Sequence, residues 1–391
     1  MSLCALWVAA ALAAPPPPPV ALVETAPAET TLDHADIADA KDVWPQMLAS
    51  ARKSLDIAQF YVSDAPGKRL GPVLKAIEAA AGRGVRVRVL VEDDFSKTYP
   101  EALERLAKVP NVSVRRYQVK PLMGGILHAK YFVVDRERAY LGSQNFDWRS
   151  LEHIQELGVQ IAQPQVVQAL SDVFETDWWL ASGGDRTARV RTVEGSAFPV
   201  QAGDAKLTLV ADPKGWLPDE SLWSLPRLVA LIDSAKRDVR VQVLTYQARG
   251  KGGRFRELEE ALQRAAARGV KVELMVADWS QRPAVLEGLK ALHAPPGLTV
   301  KLVTIPQWSG GFIPYARVVH AKYLVVDGRA AWIGTSNWER GYFYEGRNVG
   351  LIVEGGALPL RLEQLFAELW SGPYAQALDP ARSYPAPRIS Q

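Results

Sequence analysis

The chain has 391 residues, of which 48% are hydrophobic and 23% are charged, and its formal net charge is +3. This composition is ordinary for a soluble globular protein. The length exceeds what one hydrophobic core usually serves, so we expect two domains or two fused repeats. The near-neutral charge excludes a strongly basic chain, from which nucleic-acid binding could be inferred directly. Function must therefore be sought in motifs.

An apolar run at the N-terminus predicts an export signal. Residues 3–14 are too few to span a bilayer as a mature helix, and the alanines near their end resemble a signal-peptide cleavage site. No Lys or Arg precedes the run and prolines 15–19 follow it, so an uncleaved apolar N-terminus is the alternative. We predict a signal-like segment over residues 1–20 and an exported protein, periplasmic or secreted. The single cysteine, Cys4, lies in this segment, so the mature protein would have no disulfide or cysteine-bound zinc.

The most informative feature of the sequence is an internal duplication. Four kinds of segment occur twice in the same order: a strand, a helix end followed by glycine and a strand, a His-x-Lys strand, and a Gly-Ser/Thr-x-Asn turn. The paired ranges are 54–61 with 238–246, 79–87 with 265–272, 127–135 with 319–327, and 142–145 with 334–337. Each half then ends in an aromatic-rich helix. One match could arise by chance, but four in one order indicate that the chain contains the same fold twice.

The repeated order of strand, helix, strand, hairpin and helix predicts the fold class. We predict an α/β fold with mixed α+β layers, in which each half is a β-sheet flanked by helices. A pseudo-two-fold axis is expected to relate the two halves. The predicted halves are residues 21–181 and 219–391, and the stretch 182–218, with a Gly-Gly pair and several prolines, is the predicted junction.

Each repeat contains a histidine and a lysine two positions apart. In a strand, residues i and i+2 point to the same side, so the two side chains share a face. The pairs are His128 with Lys130 and His320 with Lys322. If the halves pack about a pseudo-two-fold axis, both pairs meet in one pocket, together with the turn asparagines Asn145 and Asn337.

Such a pocket has the chemistry to cleave a phosphate diester. The two ammonium groups and two amides would form a positive, donor-rich cradle for the phosphate. One imidazole could attack phosphorus to give a covalent phosphohistidine. The other would protonate the leaving oxygen and then deprotonate the water or alcohol that resolves the intermediate. We predict no metal ion or other cofactor, because the lysines supply the charge stabilisation that magnesium would otherwise provide.

Four further polar residues of the repeats are expected to support the site rather than to react. Asp135 and Asp327 follow the motif strands where the chain turns, and the glycine after Asp327 is a strong hairpin signal. Ser143 and Thr335 occupy the hydroxyl position of the Gly-Ser/Thr-x-Asn turns. Turn-forming and orienting roles are therefore predicted for these side chains.

The pattern His-x-Lys-x4-Asp with a trailing Gly-Ser-x-Asn is similar to the signature of the phospholipase D superfamily. The resemblance covers about residues 22–380. The segments that resemble the animal lysosomal phospholipase D-like exonucleases and their poxvirus relatives are 22–27, 145–150, 156–159, 313–318 and 371–374. The resemblance implies a phosphodiesterase in which one motif histidine is the nucleophile and the other the acid/base. The N-terminal histidine is more often the nucleophile in the family, which implies His128 as nucleophile and His320 as acid.

The resemblance also implies a carboxylate downstream of the motif that orients a catalytic histidine. Glu156 follows His128, and Asn348 follows His320, by the same 28 residues, so the two halves differ at this position. A carboxylate raises the basicity of the imidazole that it contacts. The sequence leaves open whether Glu156 contacts the histidine of its own half or that of the other half. The lysosomal relatives carry several disulfides, which this chain lacks, so lysosomal residence is not implied.

The expected substrate is a phosphodiester, with single-stranded nucleic acid as the first hypothesis. The resemblance to exonucleases favours it, and aromatic side chains near the motifs could stack on bases. The candidate substrate contacts are Trp148, Tyr315, Arg317 and Trp338. The alternative for such aromatic residues is packing in the core.

Two other hypotheses stay open. For a phospholipid substrate, the apolar stretches 121–127 and 310–313 could form the lips of a lipid entry, or they could be ordinary loops that flex on glycine. The protein could also be a non-catalytic phosphate-binding scaffold, against which the presence of His, Lys and Asn in both halves argues. The sequence indicates no obligate protein partner.

Overall fold

The structure is a computed structural model that describes residues 18–185, 198–250, 253–293 and 296–390. Most of the predicted signal-like segment, including Cys4, lies outside the described residues, as do residues 186–197 of the predicted junction. Within the described ranges, no helix is long and apolar enough to cross a membrane.

The N-terminal half is built on one eight-stranded sheet. The strands of this half, two of which lie outside the large sheet, are β1 (Val20–Thr25), β2 (Ala38–Asp39), β3 (Ser54–Gln59), β4 (Val62–Ser63), β5 (Arg86–Glu92), β6 (Val112–Tyr117), β7 (Tyr131–Val134), β8 (Arg138–Gly142), β9 (Phe146–Asp147) and β10 (Glu156–Ile161). Its α-helices are α1 (Ala40–Ala49), α2 (Leu70–Gly82), α3 (Asp93–Ser96), α4 (Glu101–Leu106), α5 (Val119–Met123) and α6 (Pro164–Leu180). The order in the sheet is β2-β1-β10-β8-β7-β3-β5-β6, and β4 pairs separately with β9.

The C-terminal half is built on a nine-stranded sheet. Its strands are β11 (Val200–Ala202), β12 (Ala205–Asp212), β13 (Asp238–Val243), β14 (Tyr246–Gln247), β15 (Arg249–Gly250), β16 (Gly253–Arg254), β17 (Lys271–Ala277), β18 (Leu298–Val303), β19 (Tyr323–Val326), β20 (Ala330–Gly334), β21 (Trp338–Glu339), β22 (Asn348–Gly355) and β23 (Ala375–Ala377). Its α-helices are α7 (Ser224–Asp233), α8 (Glu257–Ala267), α9 (Pro283–His293), α10 (Arg340–Tyr344) and α11 (Leu358–Ser371). The order in the sheet is β11-β12-β22-β20-β19-β13-β17-β18-β23. Outside this sheet, β14 pairs with β21 and β15 pairs with β16.

The two large sheets share one strand order, and the predicted duplicated α/β fold is thereby confirmed. The order β1-β10-β8-β7-β3-β5-β6 corresponds to β12-β22-β20-β19-β13-β17-β18. In each half, three strands run parallel at one side, β3-β5-β6 and β13-β17-β18, while the motif hairpin pairs antiparallel with the first of them. Parallel strands are joined by crossovers that place helices over the sheet. All six residues of β3 are accordingly buried.

The helix that precedes the second parallel strand illustrates how the sequence specifies each half. Its buried side chains include Leu70, Val73, Leu74 and Ile77, the spacing that places one helix face against the sheet. Gly84, two residues past the end of α2, has φ +90°, and Gly269 after α8 has φ +83°. These left-handed glycines end each helix and turn the chain into the next strand.

The aspartates after the motif strands each stabilise a turn. The Asp135 carboxylate accepts hydrogen bonds from the backbone N–H groups of residues 52–54, at 2.7–2.9 Å for the closest contacts. The Asp327 carboxylate does the same for residues 236–238, at 2.7–3.0 Å. Each aspartate thus ties its motif hairpin to the start of the neighbouring strand, at the opposite end of the motif strand from the histidine.

The halves meet along the segments that carry the motifs. Leu127 pairs in parallel with Arg347, and Val319 pairs in the same way with Gln155. The two bridges are equivalent, because each joins the residue before a motif histidine to the residue before Glu156 or Asn348 of the other half. The Arg347 guanidinium is fully buried and forms an ion pair with Asp177 of α6 at 2.9 Å. The interface therefore sets each motif histidine beside a polar side chain of the other half.

We predict that Asp135→Ala lowers the free energy of unfolding by about 2 kcal/mol, because three backbone N–H groups lose a charged acceptor. Burial alone would raise the pKa of Asp135, but the backbone N–H groups of Ser54, Lys53 and Arg52 hold it below its ordinary value. The stabilisation is therefore complete above the unfolded pKa of about 4 and is lost as pH falls through the folded pKa. Urea titration of the unaltered protein and the variant, at neutral pH and near pH 3, measures the loss of unfolding free energy and its dependence on pH.

The matched control is Glu137→Ala, two residues away, whose exposed carboxylate forms an ion pair with Lys53 at 3.1 Å. Exposed ion pairs contribute little, so this variant should change the unfolding free energy by less than about 0.5 kcal/mol. Equal effects of the two substitutions would contradict the capping role of Asp135.

Candidate active site

Each motif histidine lies three residues before the first residue of its motif strand and is held by the backbone of the other half. The N–H of His128 donates to the carbonyl oxygen of Arg347 at 2.9 Å, and the N–H of His320 donates to that of Gln155 at 2.8 Å. Both histidines are buried. The position of each imidazole therefore depends on how the two halves are packed.

One cavity of about 500 Å³ lies where the halves meet. Both motif histidines and both turn asparagines line it: His128, His320, Asn145 and Asn337. Arg149 also lines the cavity, but its charge is balanced by Asp147 at 2.8 Å. The structure thus brings the histidines and asparagines of the two repeats to a common space, as the sequence pattern predicts.

The two motif lysines are buried and are not among the residues that line this cavity, but each contacts the backbone of a histidine that does. The Nζ atom of Lys130 donates to the carbonyl oxygen of His128 at 2.5 Å, and Lys322 donates in the same way to His320. Burial lowers the pKa of Lys322 to about 7, although the charge of Glu156 opposes the effect. Burial and the neighbouring charge of Lys322 also lower the pKa of Lys130 well below its ordinary value. An anion in the cavity would offset the cost of burying the charged lysines and would keep both of them protonated.

The two histidines have different partners, and each partner comes from the other half. The Nδ1 atom of His320 lies 2.7 Å from Oε2 of Glu156. The Nδ1 atom of His128 lies 3.2 Å from Oδ1 of Asn348. The question left open by the sequence is therefore answered: Glu156 contacts the histidine across the pseudo-two-fold axis. One imidazole has a carboxylate beside it and the other has a neutral amide.

The amide of Asn348 fixes the tautomer of His128. Its Nδ2 atom donates to the carbonyl oxygens of Tyr342 at 2.9 Å and Gly346 at 3.3 Å, and its Oδ1 atom also accepts from the Thr335 hydroxyl at 2.9 Å. Oδ1 can only accept, so His128 must donate from Nδ1. The lone pair of His128 is then on Nε2. The Thr335 hydroxyl therefore contacts His128 only through Asn348.

Ser143 occupies the position of Thr335 in the other repeat. Its hydroxyl donates to the carbonyl oxygen of Leu157 and accepts from the N–H of the same residue, both at 3.1 Å. It therefore anchors the turn to the strand that begins with Glu156.

The charges around the cavity act unequally on the two imidazoles. Burial lowers the pKa of His320 to about 4, against the opposing charge of Glu156. Burial, followed by the charges of Lys130 and Lys322, lowers the pKa of His128 well below its ordinary value. Burial alone would raise the pKa of Glu156, but the charge of His320 holds it below its ordinary value. His320 is consequently the imidazole with a carboxylate to stabilise its protonated form.

The predicted substrate contacts are only partly brought to the cavity. Tyr315 lines it and is 49% exposed. Trp338 is a correction: it is fully buried, because β21 pairs with β14 and directs the indole into the core of the C-terminal half. Arg317 is a second correction, since its guanidinium donates to the carbonyl oxygens of Pro306 and Ala28.

Trp148 is likewise not among the residues that line the cavity. Its ring lies under the Lys68 ammonium, 4.7 Å from the ring centroid. Of the predicted apolar lips, residues 121–127 contribute Ile126 to the cavity wall, whereas residues 310–313 contribute none.

Sequence reasoning missed an aromatic wall on the N-terminal side of the cavity. Its members are Phe60, Tyr61, Phe95 and Tyr99. Phe60 and Phe95 are in contact, with ring centroids 4.1 Å apart, and Phe95 is 41% exposed. Phe60 and Tyr61 follow β3 directly, and ligands of α/β sheets bind at the carboxyl ends of strands, so that rule could have found these two. Phe95 and Tyr99 lie outside the repeated segments, which offered no signal.

Clusters of three or more His, Cys, Asp or Glu side chains placed to hold a metal ion are absent from the part of the chain that the structure describes.

The fold and the paired motifs define a class of protein. The family model described as "Cardiolipin synthase, PLD-like domain" matches residues 45–178 and 228–370, one match in each half. The chain therefore belongs to the phospholipase D superfamily, and the resemblance seen in the sequence is confirmed.

Individual relatives are similar over most of the chain. It is 32% identical to the 5'-3' exonuclease PLD3 of Homo sapiens over 395 residues, which cover 92% of this chain and 80% of the relative. It is 31% identical to the virion nicking-joining enzyme of Vaccinia virus (strain Copenhagen), covering 86% of this chain and 84% of the relative. The crystal structure of phosphatidylserine synthase from Haemophilus influenzae has the same fold, with a TM-score of 0.63 at 12% identity over 86% of this chain and 85% of that one. The protein is accordingly a phosphodiester-cleaving enzyme of this superfamily.

We predict that Glu156→Gln lowers kcat about 100-fold on a phosphodiester whose leaving group is an unactivated alcohol. Without the carboxylate, the pKa of His320 falls further below its ordinary value. The limb of the pH profile on which activity declines as pH rises, where protonated His320 is lost, should therefore move to lower pH. The measurement is kcat as a function of pH.

Glu24→Gln is the matched control. Glu24 is also a buried glutamate bonded to a histidine, with Oε2 2.8 Å from Nδ1 of His34, but it does not line the cavity. This variant should keep the pH profile of the unaltered enzyme. The same displacement in both variants, or none in Glu156→Gln, would contradict the role assigned to Glu156.

Proposed function

We propose that the protein cleaves single-stranded nucleic acid from a free 5' end through a covalent phosphohistidine. The observation that carries the proposal is the single cavity of about 500 Å³ lined by two imidazoles, two amides and an aromatic wall. The imidazoles suit in-line cleavage of one phosphodiester, and the aromatic rings suit the bases on either side of it.

His128 is the proposed nucleophile. Its Nδ1–H donates to Asn348, which leaves the Nε2 lone pair for attack. A bond forms from Nε2 to phosphorus while the bond from phosphorus to the leaving oxygen breaks, and that oxygen takes its proton from His320. His320 suits the acid role because the Glu156 carboxylate stabilises its protonated form. A water molecule then gives a proton to His320 and attacks phosphorus, which releases His128.

The lysines and asparagines complete the chemistry. The asparagine amides donate to the non-bridging oxygens, whose negative charge must be stabilised while the bonds to phosphorus change, and the lysines add positive charge nearby. Lys130 and Lys322 are buried, so their charges act on the phosphate with little screening.

The aromatic side chains and the relatives together favour nucleic acid. Phe95 and Tyr315 are large, exposed rings at the cavity, and base stacking on such rings contributes about 1–3 kcal/mol per base. The relatives named as an exonuclease and as a nicking-joining enzyme cover most of this chain. A free 5' end is the finer part of the proposal and rests on the exonuclease relatives.

A phospholipid is the second candidate, because four aliphatic side chains lie among the cavity-lining residues. They are Ile126, Ile154, Leu244 and Val318. These groups would suit the glycerol and first methylene groups of a lipid. The likeness to phosphatidylserine synthase supports the shared fold and adds nothing about the substrate, since the identity is 12%.

We predict that a single-stranded oligonucleotide with a free 5' end is shortened, whereas phosphatidylcholine vesicles are not cleaved under the same conditions. Phe95→Ala should raise KM for the oligonucleotide about 10-fold through the lost stacking, and should leave turnover of bis-p-nitrophenyl phosphate unchanged. Release of mononucleotides and of lipid headgroup is measured in parallel. Cleavage of lipid without release of nucleotides would reverse the order of the two candidates.

We predict that His320→Ala gives a burst of one p-nitrophenolate per chain from bis-p-nitrophenyl phosphate, because this leaving group departs without a proton. The intermediate should then accumulate, since the general base for hydrolysis is missing. Mass spectrometry of the quenched protein should place the phosphoryl group on His128. His128→Ala should show no burst and no turnover, whereas retained turnover in that variant would contradict the assignment of His128 as the nucleophile. A phosphoryl group trapped on His320 in the His128→Ala variant would reverse the two assignments.

A further inference from the structure

Tyr342 is a cavity-lining residue whose hydroxyl group takes no part in the proposed reaction steps. Tyr342 of α10 lines the cavity, and its ring packs edge-on against the imidazole of His128, with centroids 4.9 Å apart at 84°. Its backbone carbonyl accepts from Nδ2 of Asn348, the residue that orients the same imidazole. Tyr342 is thus held against His128 by both its ring and its backbone.

The hydroxyl oxygen of Tyr342 accepts from Nδ2 of Asn337 at 3.2 Å. Among the described residues, Asn337 is the hydrogen-bond partner of this hydroxyl, and the hydroxyl is the acceptor in that bond. The proton of the Tyr342 hydroxyl is therefore available to a group in the cavity. Burial raises the pKa of Tyr342 to about 12, with the charge of Glu339 adding to the effect. The hydroxyl is therefore a donor throughout the pH range in which histidines titrate.

The other repeat has no counterpart to this donor at the equivalent position. Where α10 carries Tyr342, the N-terminal half has a single 3-10 turn over Arg149–Leu151, and the corresponding Ser150 is fully buried. The two lysines and two asparagines come in symmetric pairs, so Tyr342 is an asymmetric addition on the His128 side.

We propose that Tyr342 is a further catalytic residue, whose hydroxyl donates a hydrogen bond to a non-bridging oxygen of the phosphoryl group bound between His128 and His320. No proton is transferred and no bond to Tyr342 forms. The hydrogen bond strengthens as negative charge collects on the oxygen during attack, so it lowers the barrier more than it tightens substrate binding. The inference rests on cleavage at this cavity but not on the class of phosphodiester.

The test is Tyr342→Phe, which removes the hydroxyl and keeps the ring against His128. On bis-p-nitrophenyl phosphate, kcat should fall about 10- to 100-fold while KM stays within about twofold. The limbs of the pH profile should keep their positions, because the partners of both histidines are unchanged. The melting temperature serves to show that the variant is folded.

Tyr344→Phe is the matched control, on the same short helix. The Tyr344 hydroxyl donates to Glu257 at 2.6 Å, and Tyr344 does not line the cavity, so kcat should be unchanged. The proposal is overturned if Tyr342→Phe keeps kcat within about twofold, if only KM rises, or if Tyr344→Phe loses as much. If the enzyme turns over only a nucleic acid or only a lipid, the same variants are compared on that substrate. Failure of the nucleic-acid proposal is then distinguishable from failure of this one.

Discussion

Two ammonium groups buried beside two imidazoles are the electrostatic constraint on which the site depends. Lys130 and Lys322 are almost completely removed from water, and each charge disfavours protonation of the neighbouring groups. Glu156 is the carboxylate that opposes these charges, and it is fully buried as well. Such a cluster costs folding free energy, and a bound phosphate would offset part of that cost. Sites whose activity requires buried charges commonly cost stability in this way.

The duplicated fold explains how a single chain assembles this cluster. Each repeat contributes a histidine, a lysine and an asparagine, and the equivalent parallel bridges at Leu127 and Val319 align them across the pseudo-two-fold axis. A phosphate diester in the act of cleavage is not symmetric, because one group enters as another leaves. The protein is asymmetric at the positions that contact the histidines, with Glu156 on one side and Asn348 on the other. A scaffold with pseudo-two-fold symmetry thereby sets two imidazoles with different hydrogen-bond partners at one cavity.

The fold and the reacting groups could be predicted because they lie in repeated segments. The matched spacing from histidine to lysine to asparagine specifies strands and turns locally, and duplication implies that the copies face each other. The contact of Glu156 with His320 could not be predicted, because it depends on packing between halves. Trp338 was misjudged because its nearness to the motif in sequence hid the strand direction that sends the indole into the core. Phe95 and Tyr99 lie in a connection whose sequence is not among the repeated segments, so no pattern indicated that their rings reach the cavity.

The shared phosphate position is tested most directly by locating an oxyanion in crystals of the protein soaked with tungstate, a mimic of the phosphoryl group. Anomalous diffraction should show one tungsten position per chain. Its oxygen atoms should lie within about 3 Å of Nε2 of both His128 and His320. Two separate tungsten positions, or one position that contacts the histidine of a single half, would contradict the account.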